Sequence, residues 1–303
     1  MKLNNYFINK FTNGYPLSIN RFINTNKKFN NSKDIYNCKE ISKDLLALIV
    51  GFIDGDGYIR INKKLKTIYP SYSNKNYVYV SLIINLHNND LDLLKYFNFY
   101  LKIGKVYNIT PKKGNKLARC EINKTELINV FIPLLEKYNI SFLTETKQKQ
   151  YLLLKYIINN NIIDYQDIVS NKKNIDIYID NNMIINKFNS LSYFNNWLVG
   201  FSMAEGSFLI KKNNDICFQI KQKYNFELLK DISSFFKTNR KLNINKNKYV
   251  QFNVSSKHDI QNIIKYFSYS NNHTLLGEKL ISYHKWLHKL KHSERYKNLN
   301  IPY

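Results

Sequence analysis

Two acidic residues stand at matching places in this chain. Asp56 sits in LLALIVGFIDGDGYIRI and Glu205 in NNWLVGFSMAEGSFLIK. Each closes an apolar, helix-like run, and a glycine and an alternating, strand-like run follow. Ala47, Gly51 and Gly55 recur every four residues, as do Asn196, Gly200 and Ala204, so each set lines one helix face. Small side chains on one stripe let two backbones approach closely. The simplest packing is two helices side by side about a pseudo-two-fold axis, which brings Asp56 and Glu205 together at the helix C-termini. A helix end already carries partial negative charge, and neighbouring carboxylates repel. A divalent cation answers both problems, and oxygen ligands beside a phosphate suit magnesium. The expected chemistry is metal-assisted phosphoryl transfer. Gly57 and Gly206 are expected to allow the turn from helix into strand.

The elements that would position these acids are duplicated too. NLHNNDLDLLKYF in the first half answers QIKQKYNFELLKDI in the second, LARCEINKTELINVF answers YVQFNVSSKHDIQNII, and KQKQYLLLKY answers KLISYHKWLHKL. Four elements in one order define repeats. Each reads helix, strand, strand, helix, strand, strand, helix. The fold class is therefore α+β: two pseudo-symmetric αββαββα repeats with antiparallel sheets. Residues 1–40 form an irregular arm, 41–160 the first repeat, 161–190 an Asn-rich linker winding between the halves, and 191–303 the second repeat. Strand signals are weakest around Ile68 to Tyr79 and Val106 to Lys116.

Lys and Arg total 46 against 22 Asp and Glu, a formal charge of +24. Such an excess repels itself unless a polyanion is present, so nucleic acid is the expected partner. Lysine outnumbers arginine 41 to 5, and A/T-rich codons account for part of that bias. Cys38, Cys120 and Cys217 form neither a disulfide framework nor a zinc pattern. His284, His288 and His292 share a helical face, but Lys285, Lys289 and Lys291 around them point to a solvated basic surface. No apolar run approaches membrane-spanning length. The first residues read neither as a secretory signal nor as an Arg-rich import sequence.

The segments LIVGFIDGDG (48–57) and WLVGFSMAEG (197–206) closely resemble the two signature motifs of the LAGLIDADG homing endonucleases, specifically the single-chain, two-motif, organelle intron-encoded kind. The resemblance covers roughly residues 42 to 303. It implies a monomer whose sheets form a DNA-binding saddle, a mitochondrial setting, and intron homing by a staggered double-strand break in a long target. It also implies that Asp56 and Glu205 bind metal with help from the Gly55 and Ala204 carbonyls. Lys147 and Lys279, each four residues before a tyrosine (Tyr151, Tyr283), match the family's basic residues near the cleavage centre. Gln222 matches its water-ordering residue, with Asn88 as the first-half counterpart. Motif two departs from the pattern: Ser202 stands for a hydrophobic residue and Met203 for the first, non-catalytic acid.

A β-ribbon fits the DNA major groove. Alternation after each motif turns Ile59 and Ile61 inward and Tyr58, Arg60, Asn62 and Lys64 toward DNA. In the second repeat Phe208 and Ile210 go inward, and Ser207, Lys211 and Asn213 outward. Asn85, His87, Gln219 and Lys221 are further contact candidates. Two other readings share the scaffold: an RNA maturase acting on its own intron RNA, alone or alongside cleavage, and a non-enzymatic DNA-binding regulator. The intact acidic pair favours cleavage.

Overall fold

A computed structural model describes residues 40–65, 76–110, 114–211, 215–245 and 249–302. The arm through residue 39, with Cys38, lies outside them, as does Asn213. Helix α1 (Lys43–Asp56) opens the first repeat, with the Ser42 hydroxyl accepting from the Leu45 amide. It leads into β1 (Gly57–Leu65) and β2 (Asn76–His87), then α2 (Leu91–Leu101), β3 (Lys105–Ile109) and β4 (Leu117–Asn123). A helical segment over 124–138 (α3) follows, then α4 (Glu145–Asn159). The second repeat runs α7 (Phe194–Glu205), β5 (Gly206–Ile210), β6 (Ile216–Gln222), α8 (Phe226–Phe235), β7 (Asn243–Asn245), β8 (Tyr249–Val254), a helical segment over 257–269 (α9) and α10 (Gly277–Lys291). Each repeat is thus αββαββα with one further helix, α4 or α10.

The sheets are antiparallel, in the orders β1-β2-β4-β3 and β5-β6-β8-β7. Their inner faces and the helices enclose one continuous apolar core, in which Leu46, Leu48, Trp197 and Phe201 are fully buried.

At the centre α1 lies directly on α7. A Cβ on Gly51 would stand 1.9 Å from the Trp197 carbonyl oxygen, and one on Gly200 only 1.8 Å from that of Leu48. Only glycine permits this backbone-to-backbone approach. The expected glycine stripe is therefore the seam between the repeats.

Within residues 161–190 lie α5 (Tyr165–Ser170) and α6 (Lys172–Asn182). Ile175 and Ile179 of α6 pack with Leu152 of α4, and Val78 donates to the Ile163 carbonyl. This segment is thus docked on the first repeat by apolar burial: Ile175 and Ile179, four apart, share the contacting helix face, while the alternation of Ile175, Ile177 and Ile179 mimics a strand. Ile210 does not go inward. It ends the short edge strand β5, beyond the core, and is 45 % exposed. Asn88 is not the register equivalent of Gln222. Gly57 pairs with Ile84 and Gly206 with Ile220, so the position two residues on is Leu86 in one repeat and Gln222 in the other.

Candidate active site

Asp56 is the last residue of α1 and Glu205 the last of α7. The helix ends meet closely: a Cβ on Gly55 would fall 2.3 Å from that of Ala204 and 3.1 Å from Glu205 Cγ. Gly57 and Gly206 have extended backbones, so they are not needed for a left-handed turn. Their hydrogens fill space that a Cβ would contest with the Ile53 and Ser202 carbonyl oxygens, at 2.8 and 2.5 Å.

The two carboxylates crowd each other. Burial, and then the Glu205 charge, push Asp56 up to about 6, against the pull of Lys279 and Lys147. Burial also raises Glu205, opposed by a hydrogen bond with Gln222 and by Lys147 and Lys279. Both lysines lean the other way. Burial lowers Lys147, opposed by Asp54, Glu205 and Asp56, and lowers Lys279, opposed by Asp56, Asp90 and Glu205. The structure therefore brings Asp56, Glu205, Lys147, Lys279 and Gln222 into one electrostatic group. Both lysines feel both helix-end acids, and Lys147 feels Asp54 of its own repeat ahead of either.

The lysine helices are capped across the seam. Asp90 of the first repeat accepts from the Glu278 amide at 3.0 Å, at the start of α10. Asn225 of the second accepts from the Glu145 amide at 2.8 Å, at the start of α4. Asp90 and Asn225 precede matching helices, α2 and α8. Lys279 Nζ donates to the Gly206 carbonyl. Asp56, Asn85, His87, Asp90, Glu278 and Lys279 line one cleft. Asp90 and Asn225 escaped the sequence reading because they look like ordinary helix-start residues, and their targets lie in the other repeat.

Asp54 also escaped it. Its side chain is buried and accepts from the Leu143 and Thr144 amides, the Thr144 hydroxyl and the Trp197 indole. Burial still pushes it up to about 6 against those bonds.

The helix-end carboxylates fit a hard cation, and His87 and Met203 line the same cleft. Among the described residues, no three His, Cys, Asp or Glu side chains converge as a cage. Protein would thus supply part of a shell that carbonyl, solvent and phosphate oxygens complete. His284 is half-buried while His288 and His292 are exposed.

On the sheets, Asn62, Lys64, His87, Lys211 and Lys221 are exposed, while Tyr58, Arg60, Asn85, Ser207 and Gln219 are half-buried. Arg60 pairs with Glu121 and donates to Ser81 and Tyr79. Asn85 accepts from Arg119 at 2.8 Å. Gln219 accepts from Gln251 at 2.7 Å, and the Lys221 ammonium lies 3.7 Å from the Tyr249 ring centre. Arg119, Glu121 and Tyr107 share this outer face through the β2–β4–β3 register. The alternation in LARCEIN, with Ala118, Cys120 and Ile122 buried, is the signal that marks them.

The sequence profile of LAGLIDADG endonucleases matches residues 49–158 and 198–290. The chain belongs to the LAGLIDADG endonuclease family. It is 27 % identical over 230 residues to a probable intron-encoded endonuclease aI3 of Dictyostelium discoideum, covering 76 % of this chain and 90 % of that one. It is 32 % identical over 275 residues to the Kluyveromyces lactis protein of the same name, covering 79 % of this chain and 63 % of that one. Among solved structures, the fold is similar to I-SmaMI bound to an uncleaved DNA target with calcium ions (TM-score 0.58, 19 % identity, 82 % of this chain and 91 % of that one). It is also similar to the meganuclease I-AabMI bound to uncleaved DNA (TM-score 0.55, 22 % identity, 80 % and 88 %).

Proposed function

We propose that this endonuclease makes a staggered double-strand break in a long, specific DNA target, as an intron-homing enzyme of the mitochondrion. The observation that carries the reading is the pair of acids on abutting helix ends, with the Glu205 charge raising Asp56, flanked by the buried Lys147 and the half-buried Lys279. Asp56 and Glu205, with the Gly55 and Ala204 carbonyls, would hold magnesium. The metal, when bound, would supply Lewis-acid charge neutralisation at the scissile phosphate and activate water.

The remaining roles belong to the chain itself. Lys147 and Lys279 would stabilise negative charge developing on the phosphate from either side. Gln222, bonded to Glu205 and accepting from Asn225 at 3.0 Å, orders water beside one acid. The first repeat has Leu86 at that register position, so the half-sites are chemically unequal.

The outer sheet faces would read the major groove. Arg60 and Arg119 are suited to bidentate contacts with guanine, and the exposed lysines to phosphate. Family membership, the relatives' intron-encoded names and the DNA-bound structural neighbours support this reading. So does the similarity to a cox1 intron-2 protein of Schizosaccharomyces pombe, which bears on location. Asp56→Asn and Glu205→Gln are expected to abolish cleavage in magnesium while target binding survives. Cleavage at the full rate by either variant would remove the assignment.

A further inference from the structure

The two repeats hold their lysine helices by different means. What they share is the cross-repeat cap, Asn225 on α4 and Asp90 on α10. What differs lies behind it. In the first repeat Asp54 accepts from Leu143 N at 2.7 Å, Thr144 N at 3.1 Å, Thr144 Oγ1 at 2.6 Å and Trp197 Nε1 at 2.8 Å. Thr144 is the N-cap of α4, and its hydroxyl also accepts from the Lys147 amide. An unbroken run of bonds therefore ties α1, through Asp54 and Thr144, to the backbone of Lys147.

The second repeat has none of this. Motif alignment puts Met203 opposite Asp54 and Leu48 opposite Trp197, and alignment on the lysines puts Leu276 opposite Thr144. The acid, its hydroxyl donor and its indole donor are all replaced by apolar residues. Met203 and Leu48 are buried, and Met203 and Leu276 line the cleft beside Lys279. The coordinated change is physically consistent: loss of Asp54 alone would take the acceptor from the Trp197 indole, and loss of the Thr144 hydroxyl and the indole would strip a buried carboxylate of two side-chain donors. The sets are thus two self-consistent solutions to one task, placing a lysine helix against the acidic pair.

We propose that Asp54, with Thr144 and Trp197, is a positioning clamp for Lys147 that serves one half-site only, so that the two target strands depend on different parts of the protein. The proposal rests on the reading that Lys147 and Lys279 assist cleavage. The geometry gives it an asymmetric consequence. Loosening the start of α4 misplaces Lys147, and misplacements of about 1 Å cost up to about a hundredfold in rate. Lys279 is anchored separately, by Asp90 and by its bond to the Gly206 carbonyl.

The test is strand-resolved cleavage of an end-labelled target duplex in magnesium, alongside target affinity. Lys147→Met is expected to slow one strand much more than the other, which identifies the strand Lys147 serves. Asp54→Asn should then slow that same strand about tenfold or more while the other changes little and affinity holds. Nicked duplex should accumulate. Thr144→Val should repeat the effect, and Thr144→Ser, which keeps the hydroxyl, should restore the strand ratio. Should Asp54→Asn fail to fold, the Thr144 pair carries the test. Equal slowing of both strands by Asp54→Asn or Thr144→Val, or slowing of neither, would overturn the clamp. If Lys147→Met itself affected both strands equally or neither, the reading of Lys147 would fail instead, whatever Asp54 does.

Discussion

Gly200→Ala is the sharpest perturbation of this architecture. The added Cβ would lie 1.8 Å from the Leu48 carbonyl oxygen, 2.7 Å from the Leu48 carbonyl carbon and 2.8 Å from the Phe52 nitrogen. Real Cβ contacts essentially never fall under 3.0 Å, so α1 and α7 must part locally by about 1.2 Å or more. All three obstructing atoms are backbone, so no rotamer change gives relief. Leu46, Leu48 and Ile49 on one helix and Trp197, Leu198 and Phe201 on the other are fully buried, so parting the helices disturbs the packing around them. Overpacking typically costs about 1–3 kcal/mol, and a backbone clash at the centre of the core belongs at the upper end. At about 2–4 °C per kcal/mol for a chain of this size, Tm should fall by about 6–12 °C. Asp56 and Glu205 ride on the same two helices, so cleavage should drop as well. Thermal unfolding and a cleavage time course measure both effects. Gly51→Ala meets the Trp197 carbonyl oxygen across the same seam, and one opening relieves both clashes. The double variant should therefore lose less than the sum of the singles. A Gly200→Ala protein within about 2 °C of wild type with intact cleavage would refute the close-packed seam.

Other consequences follow from single side chains. Ser202 stands in the motif position that Ile53 occupies, and its buried hydroxyl has no hydrogen-bond partner among the described residues. Ser202→Ala should stabilise the fold by about 1 kcal/mol, read as a higher urea midpoint at unchanged m-value. Burial holds His273 and His284 below the usual imidazole range. A depressed imidazole binds fewer protons folded than unfolded, so its contribution is intact above about pH 6.5 and is lost as pH falls through the folded value. His273→Asn should flatten the decline of Tm below pH 6.5 and leave Tm near pH 8 comparatively unaffected. Arg119 is held by Asn85 on the outer face of the first sheet. Arg119→Ala should weaken target binding by about 1–3 kcal/mol and relax base preference at one position, checked by binding to a panel of single-base variants. Lys221→Gln should weaken all sequences alike and reduce the salt slope of binding by about 0.9.

The parts legible in sequence are those where one residue type has one physical reason. The small-residue stripe at 47, 51 and 55 and its partner at 196, 200 and 204 predict a helix seam because nothing larger fits between the backbones. The two acids at the ends of that seam follow from the same spacing. The antiparallel strands follow from alternation, and β4 could have been read more closely on the same principle. Contacts that cross from one repeat to the other were not legible. Asp90 and Asn225 sit in ordinary helix-start contexts, and only the fold shows that each caps the other repeat's lysine helix. Asp54 was not legible either, because its donors lie 89, 90 and 143 residues away. Its role shows only when three separate differences between the repeats, Asp54 and Met203, Thr144 and Leu276, Trp197 and Leu48, are seen to meet in space. The register shift that replaces Asn88 by Leu86 is a matter of strand pairing, which composition does not encode.

Duplication followed by divergence explains why the site is shared but not symmetric. Two identical repeats would present identical acids, lysines and clamps, and the repulsion between the acids would be borne equally. Here Asp56 is crowded by Glu205 and Asp90, while Glu205 has Gln222 hydrogen-bonded to it. Asp56 and Glu205 each act on both lysines, so a change to either of these two acids reaches both half-sites. The cross-repeat caps enforce the same coupling through the backbone. The polar clamp behind Lys147 and the apolar socket beside Lys279 then differ in how they tolerate change. Removing the Asp54 carboxylate takes the acceptor from the buried Trp197 indole and Thr144 hydroxyl, whereas trimming the socket only thins packing. The start of the first repeat's lysine helix is held by polar bonds that one substitution can break, so single polar substitutions behind the seam should convert double-strand cleavage into nicking of one defined strand.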